Sequence, residues 1–228
     1  MITPILANIE WGTVIGETLL MTFISTAISY LFGLPIGIIL KFTSASGLKP
    51  NKPVNAVLGL VVNFLRSVPA LILLVILIPL TRSIFGTASG KWYTMIIPLF
   101  LSSLGFVSRL VEQSLQDVDP GEVEAIKSMG ATNFQIIRKV LIPEARSTLV
   151  IGVSVTLVNV IGYTSFAYNT GAGGLISAIY SFYTRNTADF TSSWEFWLMV
   201  LVVIIIVSLI QEAGLYLAKK LDKRKKVK

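Results

Sequence analysis

The 228-residue chain contains neither cysteine nor histidine. Their absence excludes disulfides, thiol chemistry, a Ser-His-Asp triad and Cys/His metal sites. Charge is also scarce, because 14% of the residues are charged whereas a soluble domain averages about 25%. Since 54% of the residues are hydrophobic, most of the chain is expected to face lipid or other buried helices. The composition therefore favours a membrane protein over an enzyme, and we expect no catalytic residue, metal or cofactor in this chain.

A nucleotide-binding loop is missing as well. Gly86 and Gly90 are separated by three residues, and a tryptophan follows Lys91, whereas a P-loop needs four intervening residues and a Ser or Thr after its lysine. The glycines that start at Gly171 fail the G-x-G-x-x-G pattern at Ile176. Any ATP and its magnesium ion must therefore be bound by another polypeptide.

Five apolar stretches dominate the sequence. A helix that crosses a bilayer needs about 20 mostly apolar residues, so we predict an all-α integral membrane protein with a single transmembrane domain over residues 18–218. Its five predicted transmembrane helices cover residues 18–40, 60–81, 92–112, 148–168 and 194–217. The second stretch is too long for one straight crossing, which indicates an amphipathic entry before the span.

Residues 1–17 are predicted to form a segment outside the cytoplasm. Residues 1–12 contain Glu10 and no lysine or arginine, so they lack the positively charged start that is typical of a cleavable signal peptide. We therefore expect the first apolar stretch to be retained.

The positive charges indicate the orientation. Of the 19 lysine and arginine residues, 14 fall in segments 41–53, 117–146 and 219–228. These segments are expected to be cytoplasmic by the positive-inside rule, which places the N-terminus outside and residues 219–228 in a basic cytoplasmic tail. The opposite side carries Arg82, Lys91 and Arg185. Topology thus explains the net charge of +7 without a nucleic acid partner, and the tail can also contact anionic membrane lipid.

Two patterns inside the spans leave alternatives open. Gly33 and Gly37 form a G-x-x-x-G pattern, which permits close approach of another helix in a dimer or within the chain. Pro35 lies between them and favours simple close packing. Arg66 follows Asn63 near the predicted cytoplasmic interface, where a snorkelling anchor is favoured over a role in a translocation path.

Residues 120–143 form a polar segment that predicts two short helices. Asp119 suits an N-cap and Pro120 the first helical position. Gly130 is expected to end the first helix in the left-handed C′ conformation. Thr132 and Gln135 match a capping box that starts the second helix.

The second short helix is expected to end before Pro143. It carries Phe134, Ile137 and Leu141 on one apolar stripe. Each helix has about ten residues and a length of about 15 Å, which is too short to cross a bilayer. We therefore expect this helix pair to lie at the membrane surface and to dock into a partner.

The spacing in this segment resembles the EAA loop of ABC importer permeases. Four residues separate Glu124-Ala125 from Gly130, and nine more precede Val140-x-Ile142-Pro143. The family pattern is E-A-A, G, then I-x-L-P, and the departures here keep apolar character. In that family the loop is the coupling helix, which sits in a cleft of the ATP-hydrolysing subunit. The resemblance therefore implies ATPase coupling by Glu124, Ala125, Gly130, Thr132 and Phe134, against the alternative of an ordinary surface hairpin.

Four segments narrow the resemblance to the methionine-uptake family of type I importer permeases. They are Leu19 with Met21–Ser25, residues 64–69, residues 124–132 and residues 171–175. The resemblance implies an ATP-driven amino-acid importer of the bacterial plasma membrane, with methionine as substrate and both the L and D forms to consider. It also implies a homodimeric permease, two ATPase subunits and an extracytoplasmic binding protein. A dimer agrees with the physics, because five short helices do not easily enclose a path.

Two residues are candidates for the pathway. The family places an apolar residue just before the glycine turn, which makes Phe166 a candidate outer gate, although a packed or lipid-facing aromatic explains it equally well. Asn159 is a polar group in an interior without a clear fixed charge, so a largely apolar amino acid is favoured over a charged one.

Three alternatives remain. The substrate could be another small or polar amino acid. An ATP-independent secondary transporter should bury paired ionisable groups at mid-membrane, and four of the five spans show none there. A membrane scaffold would explain the topology but not the spacing of the coupling segment.

Overall fold

The computed structural model describes residues 10–185 and 194–222, and every element in this part of the chain is helical. The α-helices are α1 (Trp11–Thr43), α2 (Lys52–Ser67), α3 (Ala70–Ile76), α4 (Ile78–Phe85), α5 (Ile96–Gln116), α6 (Pro120–Ser128), α7 (Asn133–Ile136), α8 (Ile142–Tyr163), α9 (Ala167–Thr170), α10 (Leu175–Arg185) and α11 (Trp194–Leu221). The all-α prediction is confirmed. Residues 1–9 of the predicted N-terminal segment and residues 223–228 of the predicted tail lie outside the described residues.

Four helical runs in the described residues are long and apolar enough to cross a membrane. They are Trp11–Thr43, Trp92–Gln116, Asn133–Thr170 and Trp194–Leu221, and the number rises to five if α2 and α3 together count as one broken span. The membrane-spanning class is thereby confirmed. α1 begins at Trp11, so the first helix includes residues that the sequence analysis assigned to the N-terminal segment.

The second predicted span differs from the structure. Residues 60–81 do not form one helix, because α2 ends at Ser67 and α3 begins at Ala70. Pro69 lies at this break with a ψ of 135°. Proline has no N–H to donate and disfavours helical geometry in the residue before it, here Val68. The break therefore has a local cause.

The chain forms two compact units. The first unit comprises Met1–Ile28, Val68–Ser102 and Leu157–Ile210, and the second unit comprises Ser29–Ser67, Ser103–Thr156 and Gln211–Lys228.

The first unit has its own apolar core. Its buried members are Met21, Leu74, Met95, Leu99, Val160, Ala167 and Ala172. The glycine turn before α10 is joined to α1, since the N–H of Leu175 donates to Thr18 Oγ1 at 2.7 Å. This buried bond satisfies a backbone donor that the start of a helix would otherwise leave unpaired.

The second unit packs around the middle of α5. Its buried members are Val107, Val111, Leu115, Val118, Ile136, Leu141, Ala145 and Leu149. α1 approaches α5 so closely that a Cβ added at Gly37 would lie 2.6 Å from the carbonyl oxygen of Ser108. A Cβ added at Gly33 would lie 2.7 Å from Cγ1 of Val107. The G-x-x-x-G pattern therefore serves close packing within the chain, one of the two alternatives raised by the sequence.

The end of α11 is attached to α8 in the second unit. Nε of Arg146 donates to the carbonyl oxygen of Leu221 at 2.8 Å, and the Ser147 hydroxyl donates to that of Ala218 at 3.1 Å. The carbonyl of Leu221 ends α11 and gains its partner from Arg146, as the last carbonyls of a helix require, whereas the carbonyl of Ala218 also accepts from the N–H of Asp222.

Candidate coupling surface

α6 begins as the sequence predicts. The N–H of Gly121 donates to Asp119 Oδ1 at 2.8 Å. Pro120 is the first helical residue and Glu122 places a negative charge in the first turn, where the helix dipole favours it. The predicted N-cap is therefore confirmed.

The turn between α6 and α7 depends on Gly130, which has a φ of 79°. The N–H of Gly130 donates to the carbonyl of Lys127 at 3.0 Å, and the N–H of Ala131 donates to that of Ile126 at 3.3 Å. This pair of bonds is a Schellman motif. No heavy atom lies within 4 Å of a Cβ added at Gly130. The backbone conformation, rather than lack of space, therefore requires glycine here.

α7 begins with the predicted capping box. The N–H of Gln135 donates to Thr132 Oγ1 at 3.3 Å, and the N–H of Thr132 donates to Gln135 Oε1 at 2.8 Å. The angle between α6 and α7 is thus fixed by the glycine turn and by two reciprocal bonds.

The prediction that the second helix ends before Pro143 is wrong. α7 passes through a π-helical turn, Ile137–Leu141, and continues into α8. The N–H of Ile142 donates to the carbonyl of Ile137, the i to i−5 pattern of a π-helix. Proline removes an N–H and crowds the carbonyl four residues before it, here Lys139. The wider turn accommodates that crowding, so the helix continues where the sequence suggested an end.

The predicted apolar stripe on the second helix is not one exposed face. Phe134 is 68% exposed, Ile137 is half-buried and Leu141 is 5% exposed. Leu141 belongs to the core of the second unit. Of the three, only Phe134 is therefore fully available to a docking partner.

Met129 supplies the second exposed apolar group of this surface. It is 74% exposed and lies immediately before Gly130. Met129 was not predicted from the sequence. An apolar residue at the end of a polar helix could have indicated it, because this helix has no buried residue. Glu124, Ala125 and Thr132 are exposed as well. We call the exposed set of Glu124, Ala125, Met129, Thr132 and Phe134 the coupling surface.

The opposite side of the hairpin rests on the core. Val123, Ile126 and Ala131 are half-buried and pack against the buried cluster of the second unit. A displacement imposed on the coupling surface is therefore opposed by packed side chains rather than by a loose loop.

A polar network between α2 and α5 was not predicted. Nη1 of Arg109 lies 2.6 Å from Glu112 Oε2, and Nη2 donates to Asn63 Oδ1 at 2.8 Å. Glu112 is 7% exposed, and a buried carboxylate needs such a partner. The i, i+3 spacing of Arg109 and Glu112 is the sequence pattern that could have predicted their ion pair. Asn63 is 46 residues from Arg109 along the chain, so no local sequence pattern indicates their contact.

The two pathway candidates lie in the first unit. Asn159 is half-buried on α8. Phe166 lies in the short 3-10 turn Thr164–Phe166, where its ring stacks on Tyr163 with 6.5 Å between centroids. Phe166 also packs against the core of the first unit. Its surroundings are those of a packed aromatic, and its role as a gate stays a prediction.

A family model described as a binding-protein-dependent transport system inner membrane component matches residues 33–226. The chain belongs to this family. The permease therefore has the multi-pass, all-helical architecture of a transport subunit, as the sequence predicted.

Two named relatives match most of the permease. A Vibrio cholerae protein named "Probable D-methionine transport system permease protein MetI" is 41% identical over 214 residues, which cover 93% of this chain and 92% of the relative. The Escherichia coli K12 protein named "D-methionine transport system permease protein MetI" is 40% identical over 151 residues, 66% of this chain and 69% of that protein.

Solved structures agree with these relatives. A structure described as inward-facing conformations of the MetNI methionine ABC transporter matches with a TM-score of 0.84 and 36% identity over 92% of this chain and 94% of that chain. An amino acid ABC transporter crystallised with histidines has a TM-score of 0.74 at 20% identity over 96% of this chain and 100% of that chain. The second likeness concerns the fold alone.

Within the permease, the predicted site residues fall into two sets. Glu124, Ala125, Thr132 and Phe134 lie together on the exposed hairpin that Gly130 bends, all in the second unit. Asn159 and Phe166 lie in the first unit.

Proposed function

We propose that this permease is the transmembrane subunit of an ATP-driven methionine importer and that its coupling surface docks into a separate ATPase. The observation that carries the proposal is the hairpin of α6 and α7, which exposes two large apolar side chains beside Glu124 while its other side is packed on the core. Exposed apolar groups rimmed by polar ones are typical of a protein interface.

The work of this subunit is mechanical. Two copies of the chain would form the pathway, and each would contact one ATPase subunit. ATP binding would draw the two ATPases together and displace both hairpins, which would switch the pathway between inward and outward openings. α7 is continuous with α8 through the π-helical turn, and this helical run extends to Thr170. In this proposal a displacement of the hairpin passes through the π-helical turn into α8.

The chain itself performs no catalysis in this proposal. Its sequence has no P-loop pattern and neither cysteine nor histidine, and we propose that the partner subunit binds ATP and magnesium. We propose that the hairpin and the C-terminus lie in the cytoplasm and the N-terminus outside, because the distribution of positive charge follows the positive-inside rule. An extracytoplasmic binding protein delivers the substrate on that outer side.

Methionine is the proposed substrate because the relatives and the MetNI structure carry that name. The apolar side chain of methionine suits an interior whose candidate polar contact is the amide of Asn159. Both the L and D forms fit this chemistry, and the binding protein supplies part of the selectivity. Another small amino acid is the alternative substrate.

Uptake into proteoliposomes tests the proposal. The permease is reconstituted with its ATPase inside the vesicles and its binding protein outside, and labelled methionine is added with and without internal ATP. We expect ATP-dependent accumulation that unlabelled L-methionine and D-methionine reduce. Glutamine or arginine competing better than methionine would overturn the substrate while leaving the importer intact. Uptake without the ATPase would instead indicate a secondary transporter, and no uptake at all would favour a scaffold.

A further inference from the structure

A cavity of about 740 Å³ lies in the second unit directly against the coupling hairpin. Its wall is formed by the end of α1, the loop at residues 44–48, the end of α5, the inner side of α6 and the π-helical turn. This volume falls within the range of roughly 300 to 1,000 Å³ that is usual for small-molecule sites. The coupling role of the hairpin does not explain why the space is there.

Part of the lining of the cavity is apolar. Phe42, Leu48, Leu115, Val123 and Ile137 line it, and Leu115 is fully buried. These five side chains offer no hydrogen bond to a hydrated group, whereas apolar surface buried against them is favourable by about 25 cal/mol per Å². The interior therefore suits a hydrocarbon chain.

Two lysines from different elements line the same cavity. Lys41 belongs to the last turn of α1 and Lys127 to the last turn of α6. The helix dipole favours a cation in each last turn, but it does not explain why both lysines converge on one space. Among the described residues, the ion pair of Arg109 with Glu112 involves neither of these lysines. Neither lysine has a salt bridge to a described residue.

The acidic residue of this wall is Glu124, which is exposed. It offsets one of the two lysines, so the charged side chains of the lining keep a net positive charge. Ser44, Ser46 and Gln116 add hydrogen-bonding groups to the lining. A lining that combines apolar side chains with a net positive charge is complementary to an amphipathic anion.

We propose that this cavity binds an acyl chain that ends in an anionic head group, with the chain among the apolar side chains and the head group at Lys41 and Lys127. The membrane is the nearest source of such a molecule, because α1 and α5 belong to helical runs long enough to span it. An anionic phospholipid and a free fatty acid share this chemistry.

Occupancy of the cavity has a consequence for the hairpin. Pro120, Val123 and Lys127 of α6 line it, so the ligand touches the inner side of the helix that carries the coupling surface. Binding would support α6 from within and favour one position of the hairpin. This consequence rests on the proposed coupling function, whereas binding itself does not.

The test is lipid retention by the intact transporter complex. The complex is purified, stripped with detergent and returned to phosphatidylcholine nanodiscs that contain phosphatidylglycerol, oleate or neither, and bound molecules are counted by native mass spectrometry. We expect one phosphatidylglycerol or one oleate per permease chain. Comparison of the phosphatidylglycerol and oleate nanodiscs then shows whether the ligand is a phospholipid or a free fatty acid. Inorganic phosphate at the same head-group concentration should not displace it. Displacement by phosphate alone would overturn the proposal, because the apolar interior would then contribute nothing.

Matched variants separate the cavity from general charge effects. Lys41→Gln with Lys127→Gln removes both cavity lysines, while Arg138→Gln with Lys139→Gln removes two cations of the adjoining helical segment that do not line the cavity. We expect the first pair to weaken lipid affinity by about tenfold or more, consistent with the attraction of two lysines for an anionic lipid. The second pair should retain the affinity of the wild type. Equal losses of lipid affinity in the two double variants would show that this cavity is not the binding site.

A third variant fills the space without removing charge. Ala45 is an exposed residue of the lining, and Ala45→Trp should exclude the acyl chain while both lysines remain. Retention of lipid at the wild-type level would contradict the proposal. Because the count is made without transport, failed lipid binding and failed methionine uptake are separate outcomes.

Discussion

The N–H of Gly174 donates to Glu17 Oε2 at 2.9 Å, although the two residues are 157 positions apart in the sequence. The contact joins α1 to the glycine turn before α10 within the first unit. Gly174 has a φ of 88°, and a Cβ added there would lie 2.9 Å from the terminal methyl of Met21 and 3.0 Å from Thr18 Oγ1. The glycine-rich pattern is therefore required both by backbone conformation and by the close approach of α1.

Loss of this carboxylate should loosen the start of α10. Glu17→Ala leaves the Gly174 N–H without its acceptor, and an unsatisfied, partly buried donor costs about 1 to 3 kcal/mol. We expect hydrogen exchange at Gly174 and Leu175 to become roughly tenfold faster or more. Exchange measured by mass spectrometry on the purified complex checks this.

Two controls accompany that variant. Glu17→Gln retains an oxygen acceptor and should restore most of the protection. Glu10→Ala removes an exposed glutamate whose side chain accepts from Thr13, and it should leave α10 unchanged. Wild-type exchange in Glu17→Ala would show that the bond does not support the turn.

The caps and the turn that the sequence predicted correctly in the hairpin are local features. Asp119, Gly130 and the box of Thr132 with Gln135 each act within six residues along the chain, so their patterns carry the necessary information. The contacts of Glu17 with Gly174 and of Arg109 with Asn63 depend on which helices pack together. No sequence pattern indicates that packing.

Two prolines illustrate the difference between local features and features that depend on helix packing. Pro69 interrupts a helix and Pro143 does not, although the same covalent restriction applies to both. After Pro143 the chain is held to the core of the second unit by Ala145 and Leu149. We infer that this packing, together with the π-helical turn, compensates for the lost N–H. Sequence alone could not distinguish the two cases.

The approach of α1 to α5 predicts a steric cost at Gly37. In Gly37→Ala the new methyl would lie 2.6 Å from both the carbonyl oxygen of Ser108 and Cβ of Val111. Overpacking of this kind costs about 1 to 3 kcal/mol. We expect a lower free energy of unfolding, measured by denaturant titration in one detergent.

The same helix supplies a matched control for this experiment. Gly16 also lies on α1, but no heavy atom lies within 4 Å of a Cβ added there. Gly16→Ala should be neutral or stabilise the helix by up to about 1 kcal/mol. Equal unfolding free energies for the two variants would contradict the close approach.

Gly130→Val should uncouple ATP hydrolysis from transport. Valine is β-branched, and a left-handed backbone costs an L-residue roughly 1 to 2 kcal/mol, so the turn should distort and the angle between α6 and α7 should change. Gly130→Asn is the matched variant, because asparagine tolerates this conformation, and it should keep most of the coupling. Substrate-stimulated ATPase activity is the measurement. Full stimulation in Gly130→Val would show that the turn geometry is not used.

Glu124→Arg should weaken the contact with the ATPase while the permease still inserts and dimerises. Glu124 is exposed, so the change alters the surface and leaves the core of the second unit in place. Reversal of a charge at an interface commonly costs 2 kcal/mol or more, and we expect uptake to fall about tenfold or more. Glu124→Gln removes the charge without reversing it, so its uptake should lie between that of Glu124→Arg and that of the wild type. Normal uptake in Glu124→Arg would remove this residue from the coupling surface.

The orientation of the permease can be measured directly because the chain has no cysteine. Single cysteines at Ser46 and Asn133 should resist an impermeant thiol reagent in intact cells, since both positions lie in segments where positive charge predicts a cytoplasmic location. A cysteine at Ser89, in the loop between Arg82 and Lys91, should react. All three residues are exposed in the chain by itself, so permeabilised cells that express the permease without its ATPase should label all three and serve as the control for access. Reaction of Asn133→Cys in intact cells would invert the topology and place the hairpin on the side without ATP, where it could not couple to an ATPase.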